Sequence, residues 1–142
     1  MGFETSYKAI LDAVKALLVA NGTFKTVVVG ETFRMGKLPM CYINPGENTF
    51  EPAGNVGGGR NFLVELNFDI YVLVRETEPT DWFKEIMVVT GAVADVVFAN
   101  PKLSDTVKEC HPSFHAPGEI RTPDRLYYGG VVRCTAKLFY SP

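Results

Sequence analysis

The segment from Phe62 to Arg75 (FLVELNFDIYVLVR) is the feature that most constrains the fold of this 142-residue chain. Every second residue from Val64 to Val74 is apolar, and Glu65, Asn67 and Asp69 alternate with them in the middle of the segment. This period of two predicts a β-strand with one face on a core. At about 3.3 Å per residue the strand would be about 45 Å long, which exceeds the core of a small domain. We therefore expect it to protrude or to turn its polar face towards another subunit.

A second segment, residues 126–140 (LYYGGVVRCTAKLFY), repeats this alternation. One side carries apolar residues from Val132 to Tyr140, and the other side carries Arg133 and Lys137. Gly129-Gly130 is expected to bend or bulge the strand, because glycine inside a strand often marks such a site. We expect the two segments to pair antiparallel as the long strands of one sheet.

Two other stretches have the period of an amphipathic helix. One apolar stripe runs over residues 6–20, with Thr5 or Ser6 as the cap and Asn21-Gly22 as a left-handed end. A second stripe runs over Thr80–Phe98 with spacings of three and four residues. Both stretches are therefore predicted to be helices with one buried face.

The remaining strands are predicted over residues 23–33, 38–44 and 106–111, where β-branched and apolar residues concentrate. The resulting order is helix, two strands, long strand, helix, short strand and long strand. Runs of strands with helices between them indicate an α+β domain. We expect an antiparallel sheet with two long strands and two amphipathic helices packed on one face, in a single domain over residues 1–142.

Two segments rich in glycine and proline are predicted to be irregular. Residues 45–61 hold two prolines and five glycines, and residues 112–125 hold three prolines. Loops longer than about 12–15 residues inside a compact domain are usually functional or disordered. The first segment is interpreted either as a flexible hairpin tip or as an arm that orders against a neighbour through Phe50 and Arg60.

Composition limits the classes of function. The net charge is −2, which offers no concentrated positive field for a nucleic acid. The three cysteines (Cys41, Cys110 and Cys134) form no CxxC pair and are expected to be reduced, as in an intracellular protein. The longest apolar strand is interrupted by charges, and the first residues lack a signal-peptide pattern, so we expect a soluble protein made in the cytoplasm.

Motifs for chemistry are weak. Residues 30–38 fail the phosphate-loop pattern in spacing, and Gly57-Gly58-Gly59 precedes a strand where a dinucleotide site needs a helix. Cys110, His111 and His115 are the one cluster with metal-ligand or nucleophile chemistry. Neighbours on an extended segment point to opposite faces, which places Cys110 and His111 badly for sharing a proton. We therefore expect no catalytic residues, metal or cofactor, and keep a small enzyme or ligand-binding domain as the alternative.

The order of these elements resembles that of the tail-terminator or tail-completion proteins of long-tailed bacteriophages. The resemblance covers nearly the whole chain and is carried by LPMCYINP, the long FLVELNFDIYVLVR strand, the NPKL after the second helix and the final YYGGVVRCTAKLFY strand. Neck and head–tail joining proteins share much of this layout. The resemblance implies a structural protein of the virion that acts by assembly and has no catalytic residues.

The resemblance further implies a ring, hexameric in that family, that binds the last ring of the tail tube, ends its polymerisation and meets the head connector. The implied partners are other copies of the chain, the tail-tube protein, the connector or neck protein, and DNA passing through the lumen without specific binding, with no membrane. The implied location is the virion tail or neck, after assembly in the host cytoplasm. The candidate assembly contacts are Glu47, Phe50, Glu51, Arg60, Glu65, Asn67, Asp69, Arg121, Arg125, Arg133 and Lys137.

Overall fold

The computed structural model of the protein describes residues 2–30, 36–56, 59–78, 80–81, 83–123 and 125–142. Within these ranges the chain forms an α+β fold of five strands and two α-helices. The elements are α1 (Phe3–Asn21), β1 (Thr26–Val29), β2 (Met40–Val56), β3 (Gly59–Arg75), a π-helical turn (Phe83–Met87) leading into α2 (Val88–Ala99), β4 (Glu109–Arg121) and β5 (Leu126–Tyr140).

The five strands form one sheet in the order β1-β2-β3-β5-β4. The β2–β3, β3–β5 and β5–β4 pairs are antiparallel, as expected, but β1 runs parallel to β2. The wholly antiparallel prediction is wrong at this edge, because β2 begins at Met40 beside Thr26, the first residue of β1, and the two strands run in the same direction. β1 is also shorter than the predicted strand over 23–33, of which residues 31–33 lie outside the described ranges.

The predicted pairing of residues 62–75 with 126–140 is confirmed. β3 and β5 are antiparallel in continuous register from Phe62–Tyr140 to Leu73–Gly129, with one irregularity before Arg75. The expectation of two long strands is wrong, however, because β2 has 17 residues and β4 has 13, beside 17 in β3 and 15 in β5. Four of the five described strands are therefore long.

The prediction that residues 45–61 are irregular is wrong. β2 continues to Val56 and β3 begins at Gly59, and the two strands remain paired up to these two residues. Residues 57 and 58 lie outside the described ranges. The segment is therefore the distal end of a long hairpin, whose strands have few apolar residues because little of the core reaches them.

Bulges explain why this hairpin has the composition of a loop. The β2–β3 register shifts between Pro45 and Asn48 and again between Pro52 and Asn55. A side chain on Gly46 would bring its Cβ within 2.8 Å of the Asn67 carbonyl oxygen, so the first bulge requires a glycine. Prolines and glycines at an edge strand commonly mark bulges, and here they do so without ending the strand.

The prediction that residues 112–125 are irregular is also wrong for most of that range. β4 pairs with β5 from Glu109 to Arg121, with one register shift between Pro112 and Phe114. The prolines are tolerated because β4 is the edge strand and one of its sides has no neighbouring strand in the sheet. Only a short turn remains between β4 and β5, closed by a hydrogen bond from the Thr122 N–H to the Arg125 carbonyl oxygen at 2.9 Å.

The helices differ from expectation at their starts. α1 begins at Phe3 after Gly2 and has no side-chain cap, so neither Thr5 nor Ser6 caps it. Its end is as predicted, since Gly22 adopts a left-handed conformation with φ of 79°. The second helical segment, predicted over residues 80–98, starts as a π-helical turn before α2.

One core joins both helices to one face of the sheet. The alternate residues of β3 that were predicted to face the core, from Val64 to Val72, are fully buried. They form one hydrophobic cluster with Ile10, Leu11, Val14 and Leu18 of α1 and with Val93, Val96 and Val97 of α2. The two helices therefore pack on the same face, and the opposite face carries the polar residues.

Candidate assembly surface

The face of the sheet opposite the helices is the candidate functional site. We call it the open face, because no described element packs over its central part. It comprises the side chains of Leu63, Glu65, Asn67, Asp69 and Tyr71 on β3 and those of the residues paired with them on β2 and β5, together with the residues that continue these rows on β4. Alternation in β3 and β5 places these side chains on this face.

A polar network occupies the centre of the open face. Arg133 Nε donates to Asp69 Oδ1 at 2.9 Å, and the Thr135 hydroxyl donates to Asn67 Oδ1 at 3.0 Å. Asn67 Nδ2 in turn donates to the carbonyl oxygen of Glu47 at 2.8 Å, which ties the β2 bulge to β3. These groups surround a shallow depression of about 430 Å³. Side chains that bond across three strands hold this part of the surface in one arrangement.

Charge pairs extend the network towards β4. Asp69 raises the pKa of the Arg133 guanidinium through the hydrogen bond and through its negative charge. Lys137 is paired in register with Glu65, and its Nζ lies 3.5 Å from Glu109 Oε1. Exposed ion pairs contribute only about 0–1 kcal/mol to stability. These pairs therefore contribute little to the stability of the fold.

Two phenylalanines are exposed among these charges. Phe114 is 50% exposed and Phe139 is 56% exposed. The Arg133 guanidinium lies 5.6 Å from the Phe114 ring centroid, and Lys108 Nζ lies 4.8 Å from that of Phe139. Aromatic rings and arginine are enriched at protein interfaces, where the rings are buried and the cations remain hydrogen-bonded. This combination favours a protein-binding surface.

The structure brings most of the predicted contact residues together. Seven of the eleven lie on the open face, namely Glu47, Glu51, Glu65, Asn67, Asp69, Arg133 and Lys137. Phe50 instead faces the helices, where its ring packs edge-on against Phe3 with 5.0 Å between centroids. Arg60 pairs with Asn55 in the hairpin, and its side chain is outside the described part of the structure.

The last two predicted residues lie at the far end of β4. Arg121 is the final residue of that strand. Arg125 follows it in the turn, and its Nη1 donates to both carboxylate oxygens of Glu76 at 2.9 and 3.0 Å. Neither belongs to the central network of the open face.

Sequence reasoning missed Phe114 and Lys108. The residues around Phe114 were interpreted as irregular, and the bulge at Ser113 inverts the alternation of β4. His111 and Phe114 consequently share the open face although their numbers differ by an odd count. The run of aromatic and charged residues in this edge strand indicated an exposed surface. Which of these residues lie on the open face depends on the bulge, which the sequence pattern does not locate.

The cluster of Cys110, His111 and His115 is not brought together. Cys110 is buried beside Cys134, where their hydrogen bond and burial raise the pKa of the Cys134 thiol. His111 is exposed on the open face. His115 faces the helices, with its Nε2 2.8 Å from the Thr90 hydroxyl oxygen. Across the ranges that the structure describes, no group of three or more His, Cys, Asp and Glu side chains is arranged to hold a metal ion.

No protein-family model matches the chain, and no curated protein matches it. Of the helices in the described ranges, none has both the length and the hydropathy needed to cross a membrane. The open face is therefore the feature of the molecule that bears on its function.

Proposed function

We propose that this protein is a ring-forming structural protein of a long-tailed bacteriophage, which caps the tail tube, ends its polymerisation and joins it to the head connector. The observation that carries the proposal is the open face. It is long, rigidly networked, and presents exposed aromatic rings among charges opposite a face already covered by helices. A surface of this kind suits a protein that acts by assembly.

The edges of the sheet favour contact between copies through the face. β4 carries Pro112 and Pro117, which lack the N–H that a further strand would need, and it also contains a bulge. Beyond its pairing with β1, β2 carries Pro45 and Pro52 beside its two bulges. A closed ring needs one surface of each copy to meet a different surface of the next, and the open face is the larger candidate.

The distal hairpin supports a role in contacting the other tail components. Beyond the Phe62–Tyr140 pair, β2 and β3 extend without β5 beside them. A two-stranded ribbon is marginally stable by itself, so this tip is suited to ordering against a neighbour. The tail-tube protein, the connector and the lumen through which DNA passes are the surroundings proposed for it.

Tube growth in the presence of the protein tests the proposal. A tail-tube protein of a long-tailed bacteriophage would be polymerised with and without this chain, and the tubes measured by electron microscopy. We expect added protein to stop elongation and to appear as a ring at one tube end. Tubes of unchanged length without end density would contradict the proposal.

The same experiment separates the neck adaptor, which is the alternative within this class. An adaptor would bind purified connector rings and leave tube growth unchanged. The other alternative, an enzyme or ligand-binding domain that uses Cys110, His111 and His115, has no geometric support, since the three side chains point to different surroundings.

A further inference from the structure

The charges of the open face are divided between its two halves. The half on β2 and β3 carries Glu47, Glu51, Glu65 and Asp69. The half on β4 and β5 carries Arg133 and Lys137 with one carboxylate, Glu109, and Lys108 directly before β4 adds its ammonium group over the Phe139 ring. We call them the carboxylate half and the cationic half. The two exposed phenylalanines, Phe114 and Phe139, both lie in the cationic half.

We infer that the open face binds a second copy of this chain, with the carboxylate half of one copy against the cationic half of the other. The inference deepens the proposed function and rests on it for the identity of the partner, since it names the surface through which the copies meet. The carboxylate half of each copy then meets the cationic half of the next, so that one surface meets a different surface, as a closed ring requires.

Internal pairing leaves charge available for this contact. Arg133 is paired with Asp69, and Lys137 with Glu109. The described ion pairs include neither Glu47 nor Glu51, both of which are exposed, and Lys108 contacts a ring without a carboxylate partner among them. Each half thus retains groups of one sign that a second copy can neutralise.

The two phenylalanines supply the apolar part of the contact. Each is about half exposed and lies beneath a cation, so burial by a second copy would remove ring surface from water while the cation reaches a carboxylate. The carboxylate half has no comparably exposed aromatic side chain among its described residues. The rings of one copy therefore do not oppose the rings of the other.

Charge reversal tests the inference. One variant combines Glu47→Lys with Glu51→Lys, and the other combines Lys108→Glu with Lys137→Glu. At low ionic strength the wild type is expected to self-associate in sedimentation velocity, and each variant alone to associate at least about tenfold more weakly, because its two halves no longer carry opposite net charges. An equimolar mixture of the two variants places the introduced lysines of one against the introduced glutamates of the other, and the unchanged cationic half against the unchanged carboxylate half, and is expected to associate to within about threefold of the wild type.

Matched charge changes on α1 provide the controls. Lys8→Glu with Lys15→Glu, and Glu4→Lys with Asp12→Lys, change exposed residues of α1 on the other side of the sheet and should leave association unchanged. Circular dichroism of every variant checks that it folds. A wild type that remains monomeric, folded variants that associate as well as the wild type, or a mixture that fails to restore association would each overturn the inference. Restored association without an effect on tube growth would keep the inference and refute the proposed function.

Discussion

At the scale of single residues, a buried hydrogen-bond chain connects the edge strand to the second helix. Thr90 is fully buried, and its hydroxyl donates to the carbonyl oxygen of Ile86 at 2.8 Å. Because a hydroxyl has one proton, its oxygen accepts from His115 Nε2 at 2.8 Å. Ile86 belongs to the π-helical turn, where hydrogen bonds span five residues in place of the four of an α-helix. These two hydrogen bonds therefore connect β4 to the start of α2.

Replacing this hydroxyl should destabilise the fold. Thr90→Val keeps the shape of the side chain and removes the hydroxyl that bonds to His115 and to the Ile86 carbonyl, which should lower the free energy of unfolding by about 1–3 kcal/mol. Urea denaturation of Thr90→Val, His115→Leu and the double variant measures the coupling between the two residues. We expect a coupling of at least about 0.5 kcal/mol. Additive effects would show that the two side chains do not depend on each other.

The buried thiols should make stability fall at alkaline pH. Burial raises the pKa of Cys41 from 9.0 to about 12, and the pKa values of Cys134 and Tyr7 are also raised. Between pH 9 and 12 the unfolded chain loses the Cys41 proton while the folded chain keeps it. The free energy of unfolding should therefore decrease with rising pH, by up to about 1.4 kcal/mol per pH unit from this group.

Denaturation of the wild type and of Cys41→Ala between pH 8 and about pH 11 would measure this contribution. The variant should be less stable at pH 8 but lose stability less steeply as the pH rises. A residual slope from Cys134 and Tyr7 should remain. Equal slopes in the two proteins would contradict the assignment to Cys41.

At the scale of elements, the pairing of β3 with β5 depends on a close approach at Gly129. A Cβ at this position would lie 1.8 Å from the Val72 carbonyl oxygen, which is backbone and cannot turn away. Gly118 is the residue of β4 paired with Gly129, yet a Cβ added to Gly118 would meet nothing within 4 Å. The two glycines thus provide a matched comparison.

Gly129→Ala should lower the free energy of unfolding by about 1–3 kcal/mol or more, because the strands must separate. Gly118→Ala should change it by no more than about 0.5 kcal/mol. Chemical denaturation of both variants checks the comparison. Similar effects at the two positions would contradict the close approach of β5 to β3.

Shortening the distal hairpin should separate folding from assembly. Replacing residues 54–60 by Asn-Gly, a favoured two-residue hairpin turn, keeps Pro52 paired with Phe62 and removes the end of the ribbon beyond the Phe62–Tyr140 pair. We expect the thermal midpoint of unfolding to be unchanged, because the removed residues lie outside the hydrophobic core. We also expect weaker capping of tail tubes in the elongation assay. Normal capping by the shortened protein would contradict the role proposed for the tip.

The elements that were predicted correctly are those whose alternation is enforced by a buried face. Residues 62–75 and 126–140 alternate because one side packs on the helices, and a shift by one residue would expose the core. The distal hairpin and β4 have no such continuous buried face to fix their alternation. Their prolines, glycines and bulges have the composition of loops, and the bulge at Ser113 changes which residues face outward. The parallel pairing of β1 depends on a connection whose direction no local pattern indicates.

At the scale of the whole molecule, the two faces of the sheet differ. The helices cover one face of the sheet, and the open face is left with a carboxylate half and a cationic half. Each side also carries exposed phenylalanines, which are Phe114 and Phe139 on the open face and Phe83 and Phe98 on the helical side. The four rings are 50–74% exposed, so all are accessible to a small oxidant in the single chain.

Oxidative footprinting of the assembled protein, read by mass spectrometry at these four rings, shows whether the copies meet through the open face. Assembled and monomeric fractions of the same sample would be exposed to hydroxyl radicals, and oxidation of each phenylalanine compared. We predict that Phe114 and Phe139 become protected from oxidation on assembly, while Phe83 and Phe98 remain as reactive as in the monomer. Protection of Phe83 and Phe98 with Phe114 and Phe139 still reactive would contradict it.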